Sequence, residues 1–240
     1  MTRPDGRRWD QTRPTTITTG YQKFAEGSAL IEVGMTRVLC AASLEERVPA
    51  FLRGQGKGWV TAEYDMLPRA TTTRSTRDRD SGKISGRSQE IQRLIGRSLR
   101  SVTDLEALGE RTVHIDCDVL TADGGTRTAA ITGGYVALYQ ALNELVVQRV
   151  LPKVPLKGAV AATSVGILKD GLALDLCYEE DFMALADFNI VLTDRGDMVE
   201  IQGATEADPF PRQRLEEVLA LAARGMENLF EAQRAAIQKM

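Results

Sequence analysis

Apolar and polar positions alternate with a two-residue period through the first third of the chain, which predicts strands. Thr15–Thr19 is almost entirely β-branched, and Ala29–Val33 and Arg37–Ala42 flank Gly34-Met35-Thr36 as the arms of a hairpin do. The glycine-studded stretch Gly54–Gly58 leads into a further strand at Trp59–Tyr64. A strand at that point excludes a dinucleotide fingerprint, whose glycines must open a helix. Periodicity then vanishes from residue 67 to residue 80, predicting an exposed loop. After Gly82 the period turns helical, with Ile91, Leu94, Ile95, Ser98 and Leu99 on one face and Arg93, Arg97 and Arg100 on the opposite one. Arg87 lies a turn earlier and off that arginine face. A strand at Thr112–Leu120 sets Val113, Ile115, Cys117 and Val119 against His114, Asp116 and Asp118, and a helix follows from Thr126 to about Gln148, ahead of Pro152 and Pro155.

The second half echoes the first. Ala159–Leu168, a turn at Lys169-Asp170-Gly171, Leu172–Tyr178 and two more strands precede an amphipathic helix from about Arg212 to the end. The expectation is an α+β fold of two β-rich halves, about 1–150 and 156–240, each with flanking helices in two layers and packed as one unit.

Composition adds a charge asymmetry. From Arg69 to Arg100 eight arginines and Lys83 oppose three acids, so this stretch is net positive in a chain of net charge −3. A basic belt on an acidic protein points to a polyanionic partner, with a merely solvated charge run as the equal alternative. Cys40, Cys117 and Cys177 sit in or beside apolar runs without a Cys-x-x-Cys pair, and the charged N-terminus has no apolar segment behind it. We therefore expect reduced thiols, no membrane span and a cytoplasmic location. One histidine, His114, excludes a site with two histidine ligands and argues against a His-based triad.

Two stretches carry candidate chemistry. In Ala122-Asp123-Gly124-Gly125-Thr126-Arg127-Thr128 a strand turns into a helix. The glycines permit a tight turn and close approach of a ligand to the backbone, Thr126 and Thr128 can cap the helix, and the helix N-terminus with Arg127 suits a phosphate. An ordinary capped turn would read the same way. The second stretch is Asp175–Asp181 followed by Asp187-Phe188-Asn189, where Asp187 and Asn189 share a strand face and Asp181 reaches the same side from a bend. Oxygen ligands of this kind suit Mg²⁺ or Mn²⁺, although acidic bends are commonly just solvated. Together, a phosphate cradle, a carboxylate pair and a basic loop are the parts needed for phosphoryl transfer on a nucleic acid.

Phe51-Leu52-Arg53-Gly54, Gly58–Tyr64, Met66–Thr71, Ser85–Arg97 and Ala122–Ala129 closely resemble the bacterial ribonuclease PH family, and the likeness runs from Arg3-Pro4-Asp5-Gly6-Arg7 to Gln202-Gly203 and Pro209-Phe210. The resemblance implies a phosphate-dependent 3′-to-5′ exoribonuclease of the polynucleotide phosphorylase and exosome-core superfamily. Such enzymes trim tRNA precursors and assemble as rings of dimers, commonly hexamers. It also implies a phosphate site at Arg87, Gly125, Thr126 and Arg127, a catalytic and Mg²⁺- or Mn²⁺-binding pair at Asp181 and Asp187, and an RNA-binding loop carrying Arg69, Arg74 and Arg77. Inorganic phosphate is the expected co-substrate. Met35, Thr72, Cys177, Phe182 and Leu185 depart from the family pattern. A catalytically silent RNA-binding ring subunit and a hydrolytic nuclease are the competing expectations. The retained Asp181, Asp187 and Arg127 argue against the first, and the arginine cradle, superfluous for a water nucleophile, against the second.

Overall fold

The computed structural model describes residues 3–77, 82, 84–205 and 208–240. The part of the expected basic loop at 78–81, together with Lys83, lies outside the described residues.

Strands β1 (Thr15–Thr19), β2 (Gly27–Val33), β3 (Thr36–Glu45), β4 (Trp59–Met66) and β5 (Thr112–Thr121) form one sheet in the order β1-β2-β3-β5-β4. The β2–β3 hairpin turns at Gly34-Met35, pairing Val33 with Thr36. All pairings are antiparallel except β4 with β5, which run parallel with Met66 beside Val119. A parallel pair needs a crossover. Here it holds the basic loop, helix α1 (Gly86–Val102) and the short α2 (Leu105–Leu108). Because the strands are parallel, the segments leaving β4 and β5 emerge at the same sheet edge. The loop from residue 67 and the glycine turn at residue 122 therefore meet, and the Ala122 N–H donates to the Ala70 carbonyl at 2.8 Å.

Helix α3 (Thr126–Val147) follows and is the spine of the molecule. It is buried on nearly every side, which explains why its sequence is apolar all round rather than striped. One face packs on the first sheet, through Ile131 and Leu138 among others, and it also meets the second sheet. That sheet comprises β6 (Val160–Leu168), β7 (Gly171–Leu174), β8 (Ala186–Thr193) and β9 (Met198–Thr205), all antiparallel in the order β7-β6-β8-β9. A six-residue helix α4 (Tyr178–Met183) links β7 to β8, and α5 (Arg212–Ile237) covers the second sheet's apolar face with Val218, Ala222, Met226 and Leu229. Gln233 of α5 ties the layers by donating to the carbonyls of Thr132 and Val160 at 3.0 and 2.9 Å.

Three local expectations are corrected. The strand expected at Leu172–Tyr178 ends at Leu174, because Asp175 adopts a left-handed backbone (φ 54°) and the chain turns into α4. Arg100 does not share a solvent face with Arg93 and Arg97: its guanidinium lies 4.2 Å over the Trp59 ring and donates to the Val60 carbonyl at 2.7 Å. Thr126 and Thr128 do not cap α3. The N-cap is Gly125 in the left-handed region, the Thr128 hydroxyl donates to the Gly125 carbonyl at 2.8 Å, and the Thr126 hydroxyl bonds the Tyr64 hydroxyl at 2.7 Å.

Candidate active site

A cleft of about 630 Å³ opens between the glycine turn and α4. It brings together Arg87, Gly125, Thr126, Arg127, Asp181 and Asp187, which are contributed by four different elements. Arg69, Arg74 and Arg77 are not on its wall. They are exposed on the adjoining loop, on either side of Thr71, which does line the cleft.

The first wall is built on backbone. Gly124 (φ 73°) and Gly125 (φ 66°) both occupy the left-handed region, where a side chain is strained. A Cβ on Gly124 would also lie 2.5 Å from the Leu176 carbonyl oxygen of the opposing wall. The turn is pinned from the β2–β3 hairpin, where the Thr36 hydroxyl donates to the Gly124 carbonyl at 2.7 Å and accepts from the Asp123 N–H at 2.9 Å. Arg13 donates to the Asp123 carbonyl from below. With no side chain capping α3, the orphan N–H groups of its first turn remain for a ligand, and the helix dipole favours an anion there. Arg127 is steadied by Glu90, at 3.4 Å, and by the Gln202 side-chain oxygen, which accepts at 3.2 Å. Gln202 in turn donates to Glu90 at 2.8 Å. Burial raises the Tyr64 pKa above that of an ordinary phenol, outweighing the hydrogen bond to Thr126 and the nearby arginines. The phenol therefore stays protonated and can donate to Thr126, freeing that hydroxyl's own proton for a ligand.

The second wall is held by ion pairs from the N-terminal segment. Arg3 grips Glu180 through two hydrogen bonds of 2.6 and 2.8 Å, and both side chains are buried. Arg13 grips Asp175 in the same bidentate way, at 3.0 and 2.7 Å, and its own N–H donates to that carboxylate at 2.7 Å. Arg7 donates to the Asp175 carbonyl at 3.1 Å. These contacts lock the left-handed Asp175 and the helix that carries Asp181. Glu180 completes the helix's N-terminal box by accepting from the Cys177 N–H at 3.0 Å. Adjacent residues on α4 consequently titrate in opposite directions. Burial alone would push Glu180 up, but the Arg3 fork and the Cys177 N–H more than offset it and hold its carboxyl below the usual range. Desolvation in the cleft pushes Asp181 up, Asp187 adds like-charge repulsion, and Arg87 and Arg127 only partly reverse the shift.

Asp187 and Asn189 point into the cleft from one face of β8, while Phe188 and Ile190 on the other face enter the core. Among the described residues, no third histidine, cysteine or acid joins Asp181 and Asp187 in a cluster able to hold a metal. Two carboxylates alone, with Asp187 raising the cost of ionising Asp181, make a donor set that fits a hard cation whose remaining ligands are water and substrate oxygens. Sequence reasoning missed Tyr64, Glu90, Gln202 and the Arg3, Arg7 and Arg13 pairs. Their partners are far apart in the chain, and no local spacing announces such contacts.

Models of the 3′ exoribonuclease family match the chain twice, domain 1 over residues 11–142 and domain 2 over residues 158–225. The Ribonuclease PH of Dehalococcoides mccartyi strain CBDB1 is 58% identical over 238 residues, covering 99% of each chain. That of strain ATCC BAA-2266 is 59% identical over 233 residues, covering 97% of this chain and 98% of the relative. Two solved structures share the fold at lower identity. Rice (Oryza sativa) Rrp46 superposes with a TM-score of 0.80 at 20% identity, covering 98% of this chain and 100% of its own. The Archaeoglobus fulgidus exosome with RNA bound to the active site gives 0.81 at 21%, covering 96% and 92%.

Proposed function

The chain belongs to the 3′ exoribonuclease family, and from that premise we propose that the cleft between the glycine turn and α4 is where RNA 3′ ends are degraded by phosphate. The protein is a phosphate-dependent 3′-to-5′ exoribonuclease, a nucleotidyltransferase that passes terminal nucleotides to inorganic phosphate. The observation that carries the assignment of the site is the convergence of Arg87, Arg127 and the uncapped α3 N-terminus opposite Asp181 and Asp187.

In the proposed mechanism, inorganic phosphate is held by Arg87, Arg127, the Thr126 hydroxyl and the first-turn N–H groups, with its attacking oxygen aimed across the cleft. That oxygen bonds to the phosphorus of the last phosphodiester as the bond to the penultimate nucleotide's 3′ oxygen breaks. The leaving oxygen takes up a proton delivered by Asp187 or by a water molecule in the cleft, and the products are a nucleoside diphosphate and RNA one residue shorter. Arg127, steadied by Glu90 and Gln202, balances the charge on the transferring group. Asp181 and Asp187 are the residues that would hold Mg²⁺ or Mn²⁺, and a cation there would supply charge neutralisation for the phosphate oxygens. Exposed Arg69, Arg74 and Arg77 would follow the RNA backbone on its way to the cleft.

The proposed RNA is the 3′ extension of tRNA precursors, and the proposed assembly is a hexameric ring of three dimers. Exposed Tyr21, Phe24 and Met35 beside the first sheet supply apolar surface for subunit contacts. A cytoplasmic location is supported by the free, buried Cys40 and Cys117, whose sulfurs lie 3.8 Å apart without a disulfide. No helix among the described residues is long and apolar enough to cross a membrane.

The test is incubation of purified protein, Mg²⁺ and a tRNA with a short 3′ extension, with and without inorganic phosphate, followed by chromatography of released nucleotides. Nucleoside diphosphates released only with phosphate are expected. Monophosphates released without phosphate would make the enzyme a hydrolase, and RNA binding without release would make it a silent subunit.

A further inference from the structure

Helix α4 has two faces with different tasks. Glu180 turns inward to Arg3, whereas Tyr178, Asp181 and Phe182, at positions i, i+3 and i+4, share the outward face. Phe182 is 81% exposed and Tyr178 62% exposed, and their near-parallel rings have centroids 6.4 Å apart with 29° between planes. Both line the cleft together with Arg87, Arg127 and Asp181. A phenyl ring this exposed gains almost nothing from folding, since little of its surface leaves water. It is nonetheless presented from a helix fixed by a buried ion pair, so its position is set by the fold rather than by chance.

Cations and exposed aromatic faces in one groove are the combination that holds single-stranded nucleic acid: cations take the phosphates, and rings take bases of any identity. We propose that Tyr178 and Phe182 form a stacking platform for one of the last two nucleobases of the RNA. The inference rests on the assignment of phosphorolysis to this cleft. The scissile phosphate joins those two nucleotides, and Phe182 is the immediate neighbour of Asp181, so a base attached on one side of that phosphate lies within reach of the rings. Such a platform is indifferent to sequence but demands an unpaired 3′ end, because a base still stacked in a duplex cannot reach it.

The test pairs loss of a ring with loss of a base. Full-length protein and the Phe182→Ser and Phe182→Tyr variants are titrated, in phosphate-free buffer, with a single-stranded oligoribonucleotide carrying an ordinary or an abasic residue at the last or penultimate position. Phosphorolysis of the same RNAs gives KM and kcat. One abasic position should weaken binding to the unchanged protein about tenfold, from the known worth of one base-aromatic stack. Phe182→Ser should weaken binding of the ordinary RNA to a similar extent, mainly through Kd and KM, and abolish the abasic penalty, whereas Phe182→Tyr should restore both. An abasic penalty of the same size in Phe182→Ser, or none in the unchanged protein, overturns the platform. So does a change of assembly mass on Phe182→Ser, by light scattering, without any coupling to the base, since the rings would then serve a protein interface. Failure of the unchanged protein to release diphosphates from the ordinary RNA would instead overturn the assignment of phosphorolysis, and the binding titration distinguishes the two failures.

Discussion

The two walls of the cleft solve the same problem by different means. The glycine turn sets its ligand-facing groups through backbone conformation within four residues, Gly124 to Arg127, with Thr36 and Arg13 bracing the turn and Tyr64, Glu90 and Gln202 steadying its side chains. The α4 wall is too short to be stable as an isolated helix. It is held from outside by guanidinium groups of Arg3, Arg7 and Arg13, contributed by a segment more than 160 residues away in sequence. One wall therefore takes its shape from its own backbone and is only braced from a distance, whereas the other is shaped by its distant partners. The acid wall is accordingly the more sensitive of the two to a change outside the cleft.

The largest effect should come from breaking the distant bracing. Arg3→Ala strips the buried Glu180 of its bidentate partner and leaves it only the Cys177 N–H and the looser Arg7 contact at 3.7 Å, a change that costs about 3–5 kcal/mol for a buried pair. Urea unfolding should show that loss, with phosphorolysis falling alongside it. A loss below about 1 kcal/mol would mean that α4 does not depend on the N-terminal segment. Gly124→Ala attacks the locally built wall but presses on both. Its Cβ meets Leu176 and Cys177 backbone atoms, at 2.5 and 2.7 Å, in a left-handed conformation, and about 2–3 kcal/mol of destabilisation is expected. An unchanged Tm would show that the walls can part freely. Arg127→Ala should lower phosphorolysis at least about tenfold, an effect of about 1.4 kcal/mol or more on the transition state, while RNA affinity is largely kept. Equal loss of rate and binding would remove Arg127 from the phosphate site.

Smaller still is the pH contrast between the neighbours on α4. Glu180 has a lowered folded pKa, so its stabilisation is present at neutral pH and is lost as pH falls through that value. Asp181 has a raised folded pKa, so ionising it costs stability at neutral pH, and the cost disappears on acidification. In metal-free buffer, Asp181→Asn should raise Tm at neutral pH and lose that gain below the ordinary carboxylate range, whereas Glu180→Gln should lower Tm at neutral pH and converge on the parent in acid. Parallel behaviour of the two variants would erase the distinction between structural and functional carboxyls. The exposed Arg97–Glu200 pair, at 2.6 Å, provides the lower bound: Arg97→Ala should cost no more than about 1 kcal/mol in the same unfolding assay.

Much of this molecule was legible along the chain because the physics involved is local. Two-residue alternation placed most of the strands, including β5, and put Asp187 and Asn189 on the face of β8 opposite Phe188 and Ile190. The glycine pair marked a turn that only residues without a Cβ can make there. The errors arose where a distant partner overrode local preference. Trp59 drew Arg100 off the solvent face of α1, and Tyr64 engaged the Thr126 hydroxyl expected to cap α3. The left-handed Asp175, gripped by Arg13, ended β7 early.

The sequence by itself determined the element types, the family likeness and the residues from which a phosphate and metal site can be made, since propensity, periodicity and glycine geometry act over a few neighbouring residues. The tertiary structure decided that Arg87, Arg127, Asp181 and Asp187 face one cleft, because parallel pairing of β4 with β5 sets the loop and the turn at one sheet edge and Arg13 ties the turn to the segment that carries α4. It alone decided that the N-terminal arginines brace α4. A buried guanidinium and carboxylate find each other only when the chain between them is folded, and nothing in their spacing records the meeting.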